Sequence, residues 1–206
     1  MFHILGAIIV FTAVLALKPF LSGNYELLGF AFISAAVIIS TNIYGKKIMA
    51  NFLDLDVEHR SWEFSQYGIK QHQHLKKPWL IGIFLPLILS VLSMGTIKLA
   101  TFLTYEASAK KIRAAKRFGY YSYSEMTDWH NAFIGAAGIV TTLIVLVISY
   151  LSGFEPMAKA AALYSFWNMF PVSSLDGTQI FFGSKILWAV LAILVSIAAL
   201  YSVILI

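Results

Sequence analysis

Long hydrophobic runs separated by polar segments form the main pattern along the chain. A helix that crosses a membrane needs about 20 mostly apolar residues, because lipid offers no hydrogen-bond partner to the backbone. The runs that meet or approach this length are 2–17, 27–45, 130–151, 157–177 and 185–206. The pattern therefore predicts an all-α polytopic membrane protein with about five spanning helices, which form a single integral membrane domain over residues 1–206.

A further apolar segment, 79–102, lies between the two segments that carry most of the basic residues, 45–77 and 104–129. If 79–102 were an extra span, these basic segments would lie on opposite sides, although Lys and Arg concentrate on the cytoplasmic side. A turn at residues 93–95, Ser-Met-Gly, would return the chain to its starting side. We therefore predict that 79–102 re-enters the membrane and that both basic loops are cytoplasmic.

Composition and charge agree with a membrane location. Of the 206 residues, 59% are hydrophobic and 12% are charged, whereas soluble domains carry about 25% charged residues. The lipid bilayer is the expected partner, and the formal net charge of +5 reflects basic loops, not nucleic-acid binding. The chain has no cysteine, so disulfides and thiolate metal sites are excluded.

The most distinctive polar sequence is Asn-Met-Phe-Pro-Val-Ser-Ser-Leu-Asp-Gly at residues 168–177. An ordinary helix end at Pro171 with Asp176 in a capping turn would explain it. The alternative is a functional carboxylate, because an ionised Asp at membrane depth is costly without a compensating partner. Both interpretations remain open at this stage.

This sequence resembles the Asn-x-x-Pro-x-x-x-Leu-Asp-Gly pattern of the site-2 proteases, a family of intramembrane zinc metalloproteases. The resemblance implies a site-2-protease-like core formed by helices 27–45, 130–151 and 157–177. It also implies that Asp176 occupies the position of the third zinc ligand, and that Asn168 and Pro171 lie by the substrate groove. The small residues at 135–138, Gly-Ala-Ala-Gly, resemble a second and weaker family sequence.

The other zinc ligands of this family come from a His-Glu-x-x-His helix, whose Glu activates the bound water. The motif is absent here. Lys47 and residues 57–62 resemble sequences that follow the motif in archaeal members, and this register places Asn42, Ile43 and Lys46 at the His, Glu and His positions. The resemblance therefore implies that both imidazoles and the general base are lost.

A metal site built from other residues is an alternative. His72, His74 and His130 are the candidate ligands that would join Asp176, although the lysines near His72 and His74 disfavour a cation. Helix capping by Asp128 accounts for His130 without a metal. No cofactor is expected in the main interpretation, and zinc is expected only in this alternative.

We predict a membrane-embedded site-2-protease-like protein that is not an active enzyme and that binds a membrane-protein partner or substrate. One alternative is an active intramembrane zinc metalloprotease with displaced ligands, and a second is a small membrane transporter. The transporter would need paired charges on several helices, and only Asp176 and Lys98 stand out within the apolar segments.

The loss of zinc would leave the Asp176 carboxylate without a cation, and Lys46 is a candidate replacement. Its flexible stem would let its ammonium group reach Asp176. We favour the other interpretation, in which Lys46 snorkels beside Lys47 at the cytoplasmic end of its helix.

Overall fold

The computed structural model describes residues 2–66, 74–110 and 126–204. In these residues the chain forms seven helices and four short strands. The helices are α1 (Phe2–Leu21), α2 (Glu26–Phe52), α3 (Ile81–Leu92), α4 (Asp128–Leu151), α5 (Glu155–Asn168), α6 (Asp176–Gly183) and α7 (Lys185–Ile204). The strands are β1 (Leu55–Ser61), β2 (Phe64–Gln66), β3 (His74–Trp79) and β4 (Leu103–Ala109).

Four of the described helices, α1, α2, α4 and α7, are long and apolar enough to cross a membrane. Their outer faces are apolar as well: on α7, for example, Ile186, Val190 and Ile193 are exposed. Side chains of this kind suit a lipid surrounding, because water would disfavour such a continuous apolar surface. The prediction of a mostly helical protein with long membrane-type helices is confirmed at this level.

The predicted core helix 157–177 is not continuous. Helix α5 ends at Asn168 after 14 residues, and α6 begins only at Asp176. Pro171 lies in the break, where it has no N–H to offer to a continuing helix. Helix α5 alone is about 21 Å long, shorter than the hydrocarbon layer of about 30 Å. The prediction of one helix over 157–177 is therefore wrong, and the break is what positions Asp176 at a helix start.

Segment 79–102 doubles back on itself. At its start, the Gly82 N–H donates to the carbonyl of Trp62, and at its end the Phe102 carbonyl accepts from the Trp62 N–H. The turn between them includes Met94 and Gly95, both with positive φ, a conformation that glycine adopts readily. Both ends of the segment therefore meet at Trp62, as the hairpin prediction requires. Its placement in a membrane stays a prediction.

The tip of this hairpin reaches the far end of α1. A Cβ on Gly95 would lie 2.8 Å from the backbone nitrogen of Lys18, near the end of that helix. At the other end of α1, the His3 imidazole lies 3.0 Å from the Ser61 hydroxyl, beside the start of the hairpin. The hairpin therefore packs along most of the length of α1.

Two small antiparallel sheets accompany the helices, and the all-α prediction did not include them. Strand β1 pairs with β4, and β2 pairs with β3. Strand β1 follows α2 directly, whereas β4 follows the hairpin, so their pairing joins the chain before the hairpin to the chain after it. Strands this short carry a weaker sequence signal than long apolar helices.

Labelling of introduced cysteines tests the topology, and no other residue reacts as a thiol because the chain has no native cysteine. Glu58 and Glu106 are exposed cross-strand partners on β1 and β4, so Glu58→Cys and Glu106→Cys should react with an impermeant maleimide from the same side. Asn24→Cys, in the exposed turn between α1 and α2, should react only from the other side. Labelling of Glu106→Cys and Glu58→Cys from opposite sides would contradict the re-entrant prediction.

Candidate functional site

The site is built where α2 crosses α4 at very short range. A Cβ on Gly45 would collide with the Thr141 side chain and lie 3.0 Å from the Ala137 carbonyl oxygen. A Cβ on Gly138 would lie 2.6 Å from Cε of Lys46. Small residues allow such close approach of helices in lipid, and the 135–138 sequence supplies them on α4. At this crossing, the side chains on the α4-facing side of α2 lie in the protein interior.

At this crossing Lys46 of α2 and Asp176 of α6 form a buried ion pair. The Lys46 Nζ lies 2.7 Å from both carboxylate oxygens of Asp176. The two residues are 1% and 0% exposed, so no water screens the interaction. The favoured interpretation of Lys46 as a snorkelling residue is therefore wrong, because its side chain points inward to the carboxylate while its neighbour Lys47 is exposed.

Tyr105 of β4 forms one wall of the ion-pair site. The Lys46 ammonium lies 4.8 Å from the centre of the Tyr105 ring, within cation–π range. The Tyr105 hydroxyl donates a hydrogen bond of 2.6 Å to the Asn131 carbonyl. Burial raises the pKa of Tyr105 well above its usual value, and the nearby charge of Asp176 raises it further. Tyr105 therefore stays protonated and acts as a neutral donor.

Asn42 and Ile43 lie close to the pair on α2 and are almost fully buried. The Asn42 side chain lies one helical turn before Lys46 and also packs on Gly138, where a Cβ would lie 2.9 Å from its Nδ2. Among the described residues this Nδ2 has no hydrogen-bond partner. Asn42 and Lys46 therefore share the face of α2 that packs on Gly138 of α4, as residues at positions i and i+4 of a helix should.

His59 lies beside this region, because it is the cross-strand partner of Tyr105. Burial, together with the charges of Lys46 and Lys47, lowers the pKa of His59 to about 3. Its Nε2 is buried without a hydrogen-bond partner among the described residues. His59 is therefore neutral at physiological pH, where it adds no positive charge next to Lys46.

Asn168 and Pro171, the two predicted groove residues, make contacts that do not include Lys46 or Asp176. Asn168 is buried at the end of α5, where its amide donates to the carbonyls of Ala100 at 2.9 Å and Tyr164 at 2.8 Å. It thereby ties the returning arm of the hairpin to α5. Pro171 is exposed and lines an apolar cavity of about 240 Å³ with Trp188. A role of Asn168 and Pro171 in a groove stays a prediction.

Of the histidines proposed as alternative ligands, His130 is the one whose side chain the structure describes. His130 takes part in a capping box with Thr127, which is the N-cap of α4 in place of the expected Asp128. His72 lies outside the described residues, as does the side chain of His74. Over residues 2–66, 74–110 and 126–204, no group of three or more His, Asp or Glu side chains is arranged to hold a metal ion.

Sequence reasoning missed Tyr105 and the position of His59. The alternation of polar and apolar residues in Leu-Thr-Tyr-Glu-Ala-Ser-Ala is the signal that marks β4 as a half-buried strand. Once β4 is paired with β1, the inward face of one strand identifies the inward face of the other. The pairing itself spans the hairpin, which is why the local pattern does not reveal it.

No protein-family model, curated protein or solved structure matches this chain. A function must therefore be argued from the chemistry of the site. A primary ammonium group clamped between two carboxylate oxygens neutralises the charge of Asp176 and fills the space beside it. It supplies neither a Lewis acid nor an activated water.

Proposed function

We propose that this chain is a site-2-protease-like membrane protein without protease activity, in which the Lys46–Asp176 ion pair replaces the catalytic zinc, and that it acts by binding another membrane protein. The observation that carries the proposal is the 2.7 Å contact of the Lys46 Nζ with each Asp176 carboxylate oxygen. The loss of protease activity follows from the chemistry of that contact, and the binding of a partner is argued from the unpaired edges of β1 and β4.

The position of Lys46 supports the first part. In the register of the resemblance, Lys46 stands where the second His ligand would be and Asp176 where the third ligand would be. That register depends on sequence spacing alone and not on contacts between residues 130 positions apart. A chance alignment would not be expected to pair the two positions. Asn42, at the first His position, lies on the same face of α2.

The loss of activity follows from the residue types at the site. Peptide hydrolysis by a metalloprotease needs a metal-bound water and a general base. Ile43, at the position of the Glu, has no group that accepts a proton, and the Lys46 ammonium repels a divalent cation. The charge of Asp176 is already balanced by Lys46, so binding of a metal would first require this ion pair to separate.

Strands β1 and β4 support the binding part of the proposal. Each has one edge that pairs with no other described strand. An unpaired edge can accept an extended segment of a partner through backbone hydrogen bonds. Because Tyr105 lies in β4 and contacts Lys46, such a segment would run close to the former catalytic position. A partner that is unwound near the membrane surface fits this arrangement.

Restoring the lost motif tests the proposal. The variant Asn42→His/Ile43→Glu/Lys46→His rebuilds His-Glu-x-x-His on α2 and removes the ammonium from Asp176. It should bind about one Zn²⁺ per chain, with Asp176 as third ligand. Metal content is measured by mass spectrometry on protein purified in detergent with zinc supplied. The wild-type chain, treated identically, should retain no stoichiometric zinc.

Two matched variants control the zinc measurement. Adding Asp176→Asn to the triple variant should abolish zinc binding, because an amide is a poor zinc ligand. Placing the same motif one residue later, with Ile43→His, Tyr44→Glu and Lys47→His, rotates it away from Asp176 and should bind no zinc. If the two registers bound zinc equally, or the wild type already held zinc needed for cleavage of a transmembrane substrate, the proposal would be overturned.

A further inference from the structure

A second candidate site lies at the other end of the helices, in a cavity of about 280 Å³. Its lining includes three lysines from three separate elements: Lys18 of α1, Lys98 of the returning hairpin arm and Lys159 of α5. Lys46 lies about 24 Å further along α2 than Phe30, which lines the cavity. The cavity is therefore distinct from the ion-pair site.

The cavity gathers more positive charge than its own residues balance. The charges of Lys18 and Lys159 both repel that of Lys98, which is half-buried. Glu155 is the acidic residue in the lining, and it forms no ion pair within 4 Å among the described residues. Three convergent cations beside one exposed carboxylate leave an unbalanced positive site, which an anion would stabilise.

The backbone adds to this preference for an anion. Helices α2 and α5 both begin at the cavity, near Leu27 and Pro156, and neither start has a side-chain cap. The positive ends of the two helix dipoles favour negative charge nearby. The end of α1 at Lys18 has the opposite polarity, so the helix contribution is partial and the lysines dominate.

One side of the cavity is apolar and faces outward. Leu27 and Phe30 line it and are 37% and 47% exposed, on a helix suited to cross a membrane. A ligand held there would place its anionic group among the lysines and lay a hydrocarbon chain along these two side chains. A free inorganic anion has no apolar part that could contact these two side chains.

We propose that this cavity binds the phosphate group of an anionic phospholipid through Lys18, Lys98 and Lys159, with an acyl chain along Leu27 and Phe30. The site is independent of the proposed function, because it shares no residue with the Lys46–Asp176 pair. It would couple α1, the hairpin and α5, since each supplies one lysine to a single phosphate group.

Native mass spectrometry of the full chain in detergent tests this proposal with phosphatidylglycerol and phosphatidylcholine. Wild-type protein should bind phosphatidylglycerol about tenfold more tightly than phosphatidylcholine, and Lys98→Gln/Lys159→Gln should abolish that difference. The control Lys47→Gln/Lys185→Gln, which removes two exposed lysines elsewhere, should retain it. Lys98→Arg/Lys159→Arg should also retain it, because the charge is preserved.

Two further measurements separate the possible outcomes. Without lipid, Lys98→Gln/Lys159→Gln should unfold at the same or a higher temperature than wild type, because repulsive charges are removed. A loss of binding in this variant would then not be a loss of fold. Inorganic phosphate at millimolar concentration should not displace phosphatidylglycerol. Equal binding of the two lipids by wild type would overturn the site, and displacement by phosphate alone would overturn the lipid as its ligand.

Discussion

Lys46→Met should lower the free energy of unfolding by about 3–5 kcal/mol, because it leaves the Asp176 carboxylate buried without a cation. Both partners are fully enclosed, so water cannot take over the role of the ammonium. Thermal or denaturant unfolding in detergent measures the change. The same substitution at the exposed neighbour, Lys47→Met, should change stability by no more than about 0.5 kcal/mol.

The double variant Lys46→Met/Asp176→Leu gives the decisive comparison. Replacing both halves of a buried ion pair by apolar residues of similar volume is often neutral, so the second substitution should restore much of the stability lost in the first. A double-mutant cycle then yields a coupling energy of several kcal/mol. If the two single changes were additive, the contact of 2.7 Å would make no net contribution to stability.

Gly177→Ala should destabilise the protein by about 3 kcal/mol, at the upper end of the usual cost of overpacking. A Cβ at Gly177 would collide with the Met169 carbonyl and lie 2.8 Å from the Phe170 carbonyl oxygen. Both are backbone atoms, which cannot rotate away as a side chain can. The start of α6 would have to move, and Asp176 would move with it away from Lys46.

Gly29→Ala is the matched control for this substitution. Gly29 also lies in a helix, α2, but a Cβ there would have no atom within 4 Å. The change should leave stability unaltered or raise it by about 0.5–1 kcal/mol, because alanine loses less conformational freedom than glycine. If Gly177→Ala were as well tolerated as Gly29→Ala, the close packing of α6 on the 169–170 backbone would be refuted.

The long helices and the hairpin could be predicted from the sequence. The length and apolar character of α1, α2, α4 and α7 follow from the requirement that a chain in lipid satisfies its own backbone hydrogen bonds. The doubling back of 79–102 was accessible because the basic residues on either side of it carry an orientation signal. Neither inference depends on which side chains meet.

The partner of Lys46 could not be predicted from the sequence in the same way. Sequence spacing placed Lys46 and Asp176 at related positions, but the choice between snorkelling and pairing depends on which way the Lys46 side chain points. The close crossing at Gly45 and Gly138 decides it, since it turns this face of α2 inward. The break of α5 at Asn168 then brings Asp176 to the same depth.

By itself, the sequence indicated long membrane-type helices, a hairpin between two basic segments and a carboxylate, Asp176, that lies between two apolar segments. Each of these is a property of one local stretch of residues. The tertiary structure alone decided that Lys46 neutralises Asp176, that Tyr105 lies against the pair, and that Lys18, Lys98 and Lys159 converge on one cavity. These contacts join segments that are far apart in the chain. Burial and electrostatic interaction depend on how close two groups lie in space, and not on how close they lie in the sequence.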